Sequence, residues 1–325
     1  MFELNAENAV AYLMKRGLAG SGALATELGG GVSNTVLRVH AGAAQTILKQ
    51  SLGRLRVKEE WLSDRRRILR ESAAMRLLAP RFPAGSIPRV IFEDPENCLF
   101  AMTAAAPEAD TWKTLLFSGI QRPETAARAG SLLATLISST WKDPACEADF
   151  GDQTVFRQLR IDPYYRAAAA RHPDLRENFE RLIDESGRRR VSLVHGDWSP
   201  KNLLVAGDHV TIIDFEVIHF GDPSFDTAFL LNHLLLKSLY LPERQTAFAQ
   251  LASRFWESLA AGLPPQTEWM ERATIAHLGC LLLARVDGKS PAEYLETDEL
   301  KERVRRMARE LILNPPGSVE EVFAI

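Results

Sequence analysis

A stretch close to residue 200 constrains this chain more than any other part of its sequence. It reads His195-Gly-Asp197-Trp-Ser-Pro-Lys-Asn202, and the sequence Asp214-Phe-Glu216 follows shortly afterwards. Short apolar runs precede both segments, at Ser192–Val194 and Val210–Ile213, and their composition is typical of strands. The pattern therefore predicts two loops at strand ends, the first carrying an acid and an amide and the second carrying two more acids.

The spacing H-x-D-x-x-x-x-N followed by D-F-x is typical of kinase-type phosphoryl transfer. Asp197 is the candidate general base, because a carboxylate can orient a hydroxyl and accept its proton late in the transfer. In isolation such an acid would more simply cap a turn, but Asn202 and Asp214 add hard oxygen ligands suited to Mg²⁺. Glu216 either joins them as a metal ligand or is a structural glutamate. We expect the side chains at 197, 202 and 214 to converge on one metal–nucleotide complex.

Size and charge narrow the possible partners. The chain has 325 residues, which is long for one domain and sufficient for two lobes. Its formal net charge of −3 argues against a nucleic-acid partner, because domains that bind phosphate backbones are usually basic. Basic clusters at Arg65–Arg67 and Arg188–Arg190 have the flanking sequence of a solvated helix face or the start of a strand.

Cysteine usage and hydropathy predict a reduced, cytoplasmic setting. Cys98, Cys146 and Cys280 are widely spaced and form neither a disulfide framework nor a metal-binding pair. The sequence Met1–Asn5 lacks the basic and apolar regions of a secretory signal. The apolar run Ala228–Leu236 is too short to span a bilayer. We therefore expect no membrane partner.

A glycine-rich turn precedes the first clear strand. Gly29, Gly30 and Gly31 permit positive φ and let backbone N–H groups approach phosphates closely. Ser33 and Asn34 would add side-chain hydrogen bonds at the tip of that turn. Three glycines often form nothing more than a turn, but their place before strands favours a nucleotide-binding role.

Lys49 lies near the end of the next predicted strand, Gln45–Gln50. A lysine there can neutralise the α- and β-phosphates of a nucleotide, and Glu71 on a predicted helix over residues 58–79 can pair with it and fix its position. The simpler interpretations are a solvated strand-end lysine and one acid among several on a charged helix. Two further apolar runs, Val90–Phe92 and Cys98–Met102, predict an antiparallel hairpin.

Helical periodicity dominates after residue 111. The sequence predicts helices over residues 122–140, 155–185, 224–239, 244–261, 267–286 and 298–313. We therefore predict an α+β protein with a small β-rich N-terminal lobe (residues 1–103) and a larger α-helical C-terminal lobe (residues 104–325). Asp226 begins one of these helices, where its carboxylate can accept backbone N–H bonds from the turn around Asp197 and brace it.

Together these features resemble the family of aminoglycoside phosphotransferases, choline kinases and methylthioribose kinases. The resemblance covers about residues 24–290. It is carried by Gly29-Gly-Gly-Val-Ser-Asn34, Lys49, Glu71, His195-Gly-Asp197 to Asn202, Asp214-Phe-Glu216 and Gly221-Asp-Pro-Ser-Phe-Asp226. These motifs are specific for the superfamily and do not name the acceptor.

The resemblance implies a protein-kinase-like fold that binds ATP and magnesium and phosphorylates a hydroxyl of a small molecule. It also implies that Thr103 and Ala105 offer hinge backbone groups to adenine. The D-x-E pair of Asp214 and Glu216 resembles methylthioribose kinases, whereas Asn202 departs from their pattern. The acceptor class therefore stays open among sugars, amino alcohols and aminoglycoside-like molecules.

Other functions fit the sequence less well. A protein kinase would need an Ala-Pro-Glu stretch and an activation loop, and too few residues separate Glu216 from Gly221-Asp-Pro to hold one. A non-catalytic nucleotide-binding protein would lack one of the catalytic residues, and none is missing here. Arg285 and Asp287 either face the substrate or form the end of a helix with solvated charges.

Overall fold

The computed structural model describes residues 2–29, 33–42, 44–53 and 64–324. The chain divides into two units, one comprising Met1–Ala109 and Thr211–Val217, the other Asp110–Val210 and Ile218–Ile325. Gly30 and Gly31, which were predicted to contact a nucleotide, lie outside the described residues. The predicted lobe boundary after residue 103 stays a prediction.

The first unit is built on an antiparallel sheet with two helices. Its five strands are ordered β1–β2–β3–β5–β4. Its elements are α1 (Ala6–Met14), β1 (Leu24–Glu27), β2 (Asn34–Ala41), β3 (Ala44–Ser51), α2 (Arg67–Leu78), β4 (Val90–Asp94) and β5 (Leu99–Thr103).

Alternating apolar residues place one face of this sheet in a core. Leu37, Val39 and Leu48 pack with Leu99 and with residues of α1 in one buried cluster. Such burial is the main stabilising contribution of a half-solvated sheet. In β3 the register pairs Lys49 with Val36 on one side and with Phe100 on the other. The central strand therefore carries Lys49 in a fixed position.

Local sequence features determine where the helices and the hairpin of the first unit begin and end. Helix α1 begins after a reciprocal cap between Asn5 and Asn8 and ends at Met14. The helix predicted over residues 58–79 is described as Arg67–Leu78, and residues 58–63 lie outside the described residues. The predicted hairpin is confirmed as β4 and β5, which pair on either side of a turn at Pro95–Asn97.

The second unit is mainly helical. Its elements are β6 (Asp110–Thr111), α3 (Trp112–Phe117), α4 (Pro123–Ser139), α5 (Pro144–Phe150), α6 (Thr154–Phe156), a π-helical segment (Arg157–Arg166), α7 (Ala167–Arg171), α8 (Arg176–Arg188), β7 (Ser192–Val194), β8 (Leu203–Ala206), the first half of β9 (His209–Ile212), β10 (His219–Gly221), α9 (Ser224–Tyr240), α10 (Gln245–Ala260), α11 (Trp269–Asp287), α12 (Asp298–Leu313) and α13 (Val319–Phe323). Helices α4, α9, α10, α11 and α12 confirm five of the predicted ranges.

The single helix predicted over residues 155–185 is wrong. Pro163 lies inside the π-helical segment Arg157–Arg166, where a missing N–H and a bulky ring disfavour regular α-helical bonding. Helix α7 ends at Arg171, and Pro173 then begins a short 3₁₀ turn before α8. The two prolines therefore divide one apolar pattern into several segments.

Short strands frame the loop that contains Asp197. Strand β7 pairs with β10, so that Val194 lies opposite His219 at the start of the loop. Strand β8 follows the loop, pairs with β6 and continues through a turn at Gly207 (φ +58°) into β9.

None of the helices in the described part of the chain combines the length and apolar character needed to span a bilayer.

Candidate active site

The turn after β7 is held by one buried carboxylate. Asp226 accepts hydrogen bonds from the backbone N–H of His195 at 2.6 Å and of Gly196 at 2.8 Å. Gly196 has φ +77°, a conformation that favours glycine. His195 is fully buried, and its Nδ1 accepts the N–H of Asp197 at 3.2 Å. The structure therefore confirms that Asp226 braces this turn, to which buried His195 adds a further hydrogen bond.

Asp226 is buried among these donors, and its protonation reflects two opposing effects. Burial raises the pKa of Asp226 to about 7, while the N–H groups of His195 and Gly196 oppose that increase. Nearby Asp197 also contributes to the raised pKa of Asp226, and Arg160 opposes it. Burial of the Asp226 carboxylate is unfavourable, and its hydrogen bonds to two backbone N–H groups offset part of that cost.

Replacing Asp226 with Asn is expected to lower the free energy of unfolding by about 1–3 kcal/mol, because one buried N–H donor loses its acceptor. Phosphoryl transfer should fall as well, since the turn that carries Asp197 loses its brace. Chemical denaturation monitored by fluorescence measures the first effect. Asp184→Asn, at an exposed position of α8, is the matched control. A variant as stable as the control would contradict the bracing role.

Asp197 is held by two cations of the second unit. Its Oδ2 lies 3.1 Å from Arg160 Nη2 and 2.8 Å from Lys201 Nζ. Ser199 Oγ donates to Oδ1 at 3.4 Å. The carboxylate is 4% exposed, and Arg160 is further fixed by donating from Nε to the carbonyl oxygen of Gly196 at 2.6 Å. This environment favours an ionised and oriented carboxylate, which a general base requires.

Asn202 lies on the same loop with its amide orientation fixed. Its Nδ2 donates to the backbone carbonyl of Asp197 at 2.9 Å, and the side chain is buried. Because Nδ2 is committed to that carbonyl, Oδ1 is the atom that the amide can offer to a metal ion. The short 3₁₀ turn Pro200–Asn202 thus places Asn202 and Lys201 at defined positions beside Asp197.

A second group of predicted residues meets in the first unit. Lys49 Nζ lies 2.8 and 2.7 Å from the two carboxylate oxygens of Glu71 and 2.5 Å from Asp214 Oδ1. Phe215 N–H also donates to Glu71 at 3.2 Å. Asp214 has φ +68°, an unusual conformation for a non-glycine residue. The predicted ion pair of Lys49 and Glu71 is confirmed.

Burial and neighbouring charges shift the pKa values of Lys49 and Glu71 in opposite directions. Desolvation lowers the pKa of Lys49, but the carboxylates of Asp214, Glu71 and Glu216 outweigh it and raise the pKa above its ordinary value. For Glu71 burial dominates and raises the pKa to about 7, against the lowering effect of Lys49. Lys49 is therefore a permanent cation near neutral pH, and Glu71 depends on it to remain charged.

Glu216 joins the start of β2 to α2. It accepts hydrogen bonds from Ser33 Oγ at 2.7 Å, Asn34 Nδ2 at 2.9 Å and Arg67 Nε at 3.1 Å. Both of its oxygens are engaged, so that a metal-ligand role for Glu216 would require these partners to be exchanged for the metal. That role stays a prediction, as do the nucleotide contacts of Ser33 and Asn34.

Arg67 corrects one sequence expectation. The cluster Arg65–Arg67 was predicted to lie on a solvated helix face or at the start of a strand, but Arg67 is buried at the start of α2. Its Nη2 donates to the carbonyl oxygens of Ser33 at 2.5 Å and Leu52 at 3.0 Å, in addition to the ion pair with Glu216. A planar guanidinium can serve several acceptors at once, which makes its burial possible.

The other predicted nucleotide-contacting residues lie at the edges of the sheet. Gly29 follows β1, and a Cβ atom added there would meet no atom within 4 Å. The N–H of Thr103 donates to the carbonyl of Arg89 at 3.0 Å, while Ala105 lies in irregular structure after β5. The Thr103 amide is thus already used by the sheet, and adenine contacts of Thr103 and Ala105 stay predictions.

Two charged residues near the end of α11, Arg285 and Asp287, were considered as solvated charges at a helix end. Arg285 and Asp287 are both buried rather than solvated. Asp287 accepts two hydrogen bonds from Arg305, both at 2.9 Å, and a contact from His172 at 2.9 Å. Asp287 is therefore part of an ion-pair network linking α11 and α12, whereas Arg285 lines a cavity that is described below.

Comparison with known proteins places this geometry in a family. A model described as the phosphotransferase enzyme family matches residues 25–269. The chain belongs to this family. It is 27% identical to a methylthioribose kinase of Pectobacterium atrosepticum over 67% of the chain and 61% of that relative, so that the match spans about three fifths of the relative's length.

Solved structures support the same fold. An amicoumacin kinase bound to AMP-PNP, Ca²⁺ and amicoumacin superposes with a TM-score of 0.60 at 13% identity, covering 95% of this chain and 94% of that one. A choline/ethanolamine kinase family protein from Mesorhizobium loti gives a TM-score of 0.55 at 18% identity and covers 98% of both chains. These neighbours confirm the predicted kinase-like fold with a small β-rich part and a larger helical part.

Two residues near Asp197 were not identified as functional from the sequence. Lys201 lies four positions after Asp197, and that spacing on a turn was a usable signal. Arg160 lies 37 residues earlier, in the π-helical segment, and no local pattern indicated its contact with Asp197.

Among the described residues no group of three or more His, Cys, Asp and Glu side chains forms a metal site. A magnesium site would therefore need the amide of Asn202 or oxygens of the nucleotide.

Proposed function

We propose that this chain transfers the γ-phosphate of ATP to a hydroxyl of a small molecule in a magnesium-dependent reaction. The observation that carries the proposal is the triad of buried Lys49 and Glu71 with partly exposed Asp214 in a member of the phosphotransferase enzyme family. A buried lysine fixed by one carboxylate, with a second carboxylate at 2.5 Å, is suited to bind phosphates beside a metal ion.

The residues of the first unit would position the nucleotide. Lys49 would neutralise the α- and β-phosphates, and Glu71 would hold Lys49 in place. Asp214 and Asn202 are the residues that would hold magnesium, which when bound offsets the negative charge of the phosphates. Glu216 would anchor Ser33 and Asn34 through the contacts it makes here.

Asp197 would act on the acceptor. Its carboxylate would orient the acceptor hydroxyl and take up the proton as the new oxygen–phosphorus bond forms. The bond between the γ-phosphorus and the β–γ bridging oxygen breaks, and ADP leaves with that electron pair. Lys201, which contacts Asp197, would stabilise charge on the transferred phosphoryl group.

The proposal is tested by measuring ATP consumption against a panel of hydroxyl compounds: aminoglycosides, methylthioribose, choline, homoserine and simple sugars. The match to methylthioribose kinases makes methylthioribose a necessary member of that panel. A phosphorylated product identified by mass spectrometry would support the proposal. ATP that is neither bound nor consumed with any compound, with or without Mg²⁺, would count against it.

Replacing Asp214 with Ala is expected to weaken magnesium-dependent nucleotide binding by about tenfold or more, because one charged metal ligand is lost. Isothermal calorimetry with the non-hydrolysable analogue AMP-PNP, with and without Mg²⁺, measures the effect. Binding without Mg²⁺ should change much less. Asp64→Asn, which alters an exposed acid of the same unit, is the control. An unchanged magnesium effect would remove Asp214 from the ligand set.

A further inference from the structure

A cationic cavity lies beside the loop that carries Asp197, entirely within the second unit. Cations supply four of the residues that line it, and Glu293 is the one carboxylate among the described lining residues. The lining consists of Lys113, Pro200, Lys201, His233, Lys237, Arg285, Glu293 and Tyr294. Two of these cations, Lys237 and Arg285, are buried. Burial raises the cost of like charges close together, so that this pair needs a reason.

Lys237 is the least compensated of these cations. Its side chain, on α9, is 0% exposed. Nζ donates at 3.3 Å to the carbonyl of His233, which belongs to its own helix, and lies 5.3 and 5.4 Å from the rings of Phe117 and Tyr294. Within the described part of the chain no carboxylate oxygen comes within 4.0 Å of Nζ. Aromatic faces offset only part of the lost hydration.

Arg285 and Tyr294 add unsatisfied donors to the same cavity. Arg285 Nη1 donates to Ser290 and to Tyr164, but its Nε is buried without a hydrogen-bond partner among the described residues. The hydroxyl of Tyr294 is likewise buried and unpartnered within that part of the chain. Glu293 forms an ion pair with Lys113 and accepts no hydrogen bond from Arg285 Nε or the Tyr294 hydroxyl. Polar groups left in this state are usually completed by a ligand or water.

The cavity is connected to Asp197 by direct contacts. Lys201 both lines it and lies 2.8 Å from Asp197 Oδ2. Tyr164, which accepts from Arg285, also lies under the guanidinium of Arg160, the second cation that holds Asp197. A molecule in this cavity would therefore lie next to the candidate base.

We propose that this cavity binds an anionic group, a carboxylate or a phosphate, of the acceptor. The inference rests on the proposed function, since it assigns the acceptor of the same reaction. Lys237 and Arg285 would bind the anion, and Tyr294 would donate a further hydrogen bond. Polycationic acceptors and quaternary amines would meet like charges here, so that the structure favours an acidic hydroxyl compound over an aminoglycoside or choline.

Protonation of Lys237 supports this assignment. Burial, together with the charges of Lys113 and Arg285, lowers the pKa of Lys237 to about 7, whereas Glu293 opposes them. His233 faces the same cavity, and burial together with these cations keeps its pKa well below the ordinary value, so that it is neutral. A bound anion would favour protonated Lys237 and so raise its pKa.

Matched pairs of hydroxyl compounds test the proposal. Pantothenate and pantothenol, glycerate and glycerol, and ribose 5-phosphate and ribose each share a hydroxyl and differ in one anionic group. We expect the acidic member of at least one pair to be phosphorylated with a kcat/KM at least about tenfold above its neutral partner. Equal or faster transfer to the neutral members and to aminoglycosides would overturn the inference.

Binding without nucleotide provides an independent readout. Calorimetry with the preferred acid and with inorganic sulfate, whose charge does not change near neutral pH, should show binding to the wild-type protein that weakens as the pH rises through 7 and Lys237 loses its proton. Lys237→Met, which keeps the length and apolar stem, should weaken binding by about 10- to 100-fold and remove this pH dependence. Arg285→Gln provides a second test, and Lys142→Met, at an exposed lysine of the same unit, is the control.

The two proposals fail in different ways. Anion binding that depends on Lys237, with no phosphoryl transfer to any compound, would leave the anion site in place and remove the transferase assignment. Transfer to neutral acceptors that is unchanged in Lys237→Met would keep the transferase and overturn the anion site. Thermal unfolding of each variant shows whether a loss of binding reflects a loss of fold.

Discussion

Replacing Asp197 with Asn is expected to reduce kcat by about 10²–10⁴-fold, the usual contribution of a positioned general base. The amide has nearly the same shape but cannot accept the proton of the attacking hydroxyl. Nucleotide affinity should change little, because Lys49, Asp214 and Asn202, the residues proposed to bind the phosphates and the metal, are all unchanged in this variant. Steady-state kinetics and AMP-PNP calorimetry on the same preparations measure the two effects.

The ion pairs of Asp197 complicate this variant in a predictable way. Arg160 and Lys201 both contact Oδ2 and would lose their shared counter-charge, which should cost some stability. Equilibrium unfolding of Asp197→Asn therefore accompanies the kinetics. Asp208→Asn changes an exposed acid in the turn between β8 and β9 and provides a matched background. Turnover within tenfold of the wild type in a folded Asp197→Asn protein would remove the base assignment.

The sequence predicted those parts of the molecule that depend on local patterns. The hairpin of β4 and β5 followed from two apolar runs around Asp94-Pro95-Glu96-Asn97, and helices α9, α11 and α12 followed from their periodicity. Motif spacing likewise located Asp197, Asn202 and Asp214. These features depend on residues close together in the chain, and local propensity and pattern decide them.

The sequence did not predict contacts between distant segments. Arg160 reaches Asp197 from a π-helical segment that Pro163 distorts, and the regular helix expected there would have pointed its side chains differently. Arg67 looked like one of three surface arginines, yet it pairs with Glu216, which lies 149 residues later. The burial of such a charge depends on its tertiary partner, which no local window contains.

The cationic cavity is also formed by residues that are far apart in the sequence, so that local patterns did not predict it. Lys113, Lys237 and Arg285 come from α3, α9 and α11, and each looked ordinary in its own segment. Only tertiary packing places them around one space. The acceptor class, which the family motifs left open, therefore becomes a question about these few side chains rather than about the net charge of −3.

Replacing Lys49 with Met should produce the largest combined loss of stability and activity in the first unit. Removing one partner of a buried ion pair costs about 3–5 kcal/mol, because the remaining charge is left unpaired. Glu71 and Asp214 would then face each other without the lysine. Loss of a phosphate-binding cation should also lower kcat by about 10²–10³-fold. Urea denaturation and steady-state kinetics measure these two effects.

The stability of Lys49→Met should depend on pH in a defined direction. Burial already raises the pKa of Glu71 to about 7 in the presence of Lys49, and loss of the cation raises it further. The folded state then binds more protons than the unfolded state, in which Glu71 has an ordinary pKa near 4.5. The free energy of unfolding should therefore fall as the pH rises from about 5 through 7 and beyond.

The double variant Lys49→Met/Glu71→Gln separates stability from catalysis. Glutamine keeps an oxygen that can accept the N–H of Phe215 while it removes the unpaired charge. We expect the double variant to recover about 1–3 kcal/mol relative to Lys49→Met and to lose the added pH dependence. Activity should not return, because the phosphate-binding cation is still absent. Lys15→Met, at an exposed lysine of this unit, is the control. Recovery of turnover together with stability would show that Lys49 supports the fold and takes no part in phosphate binding.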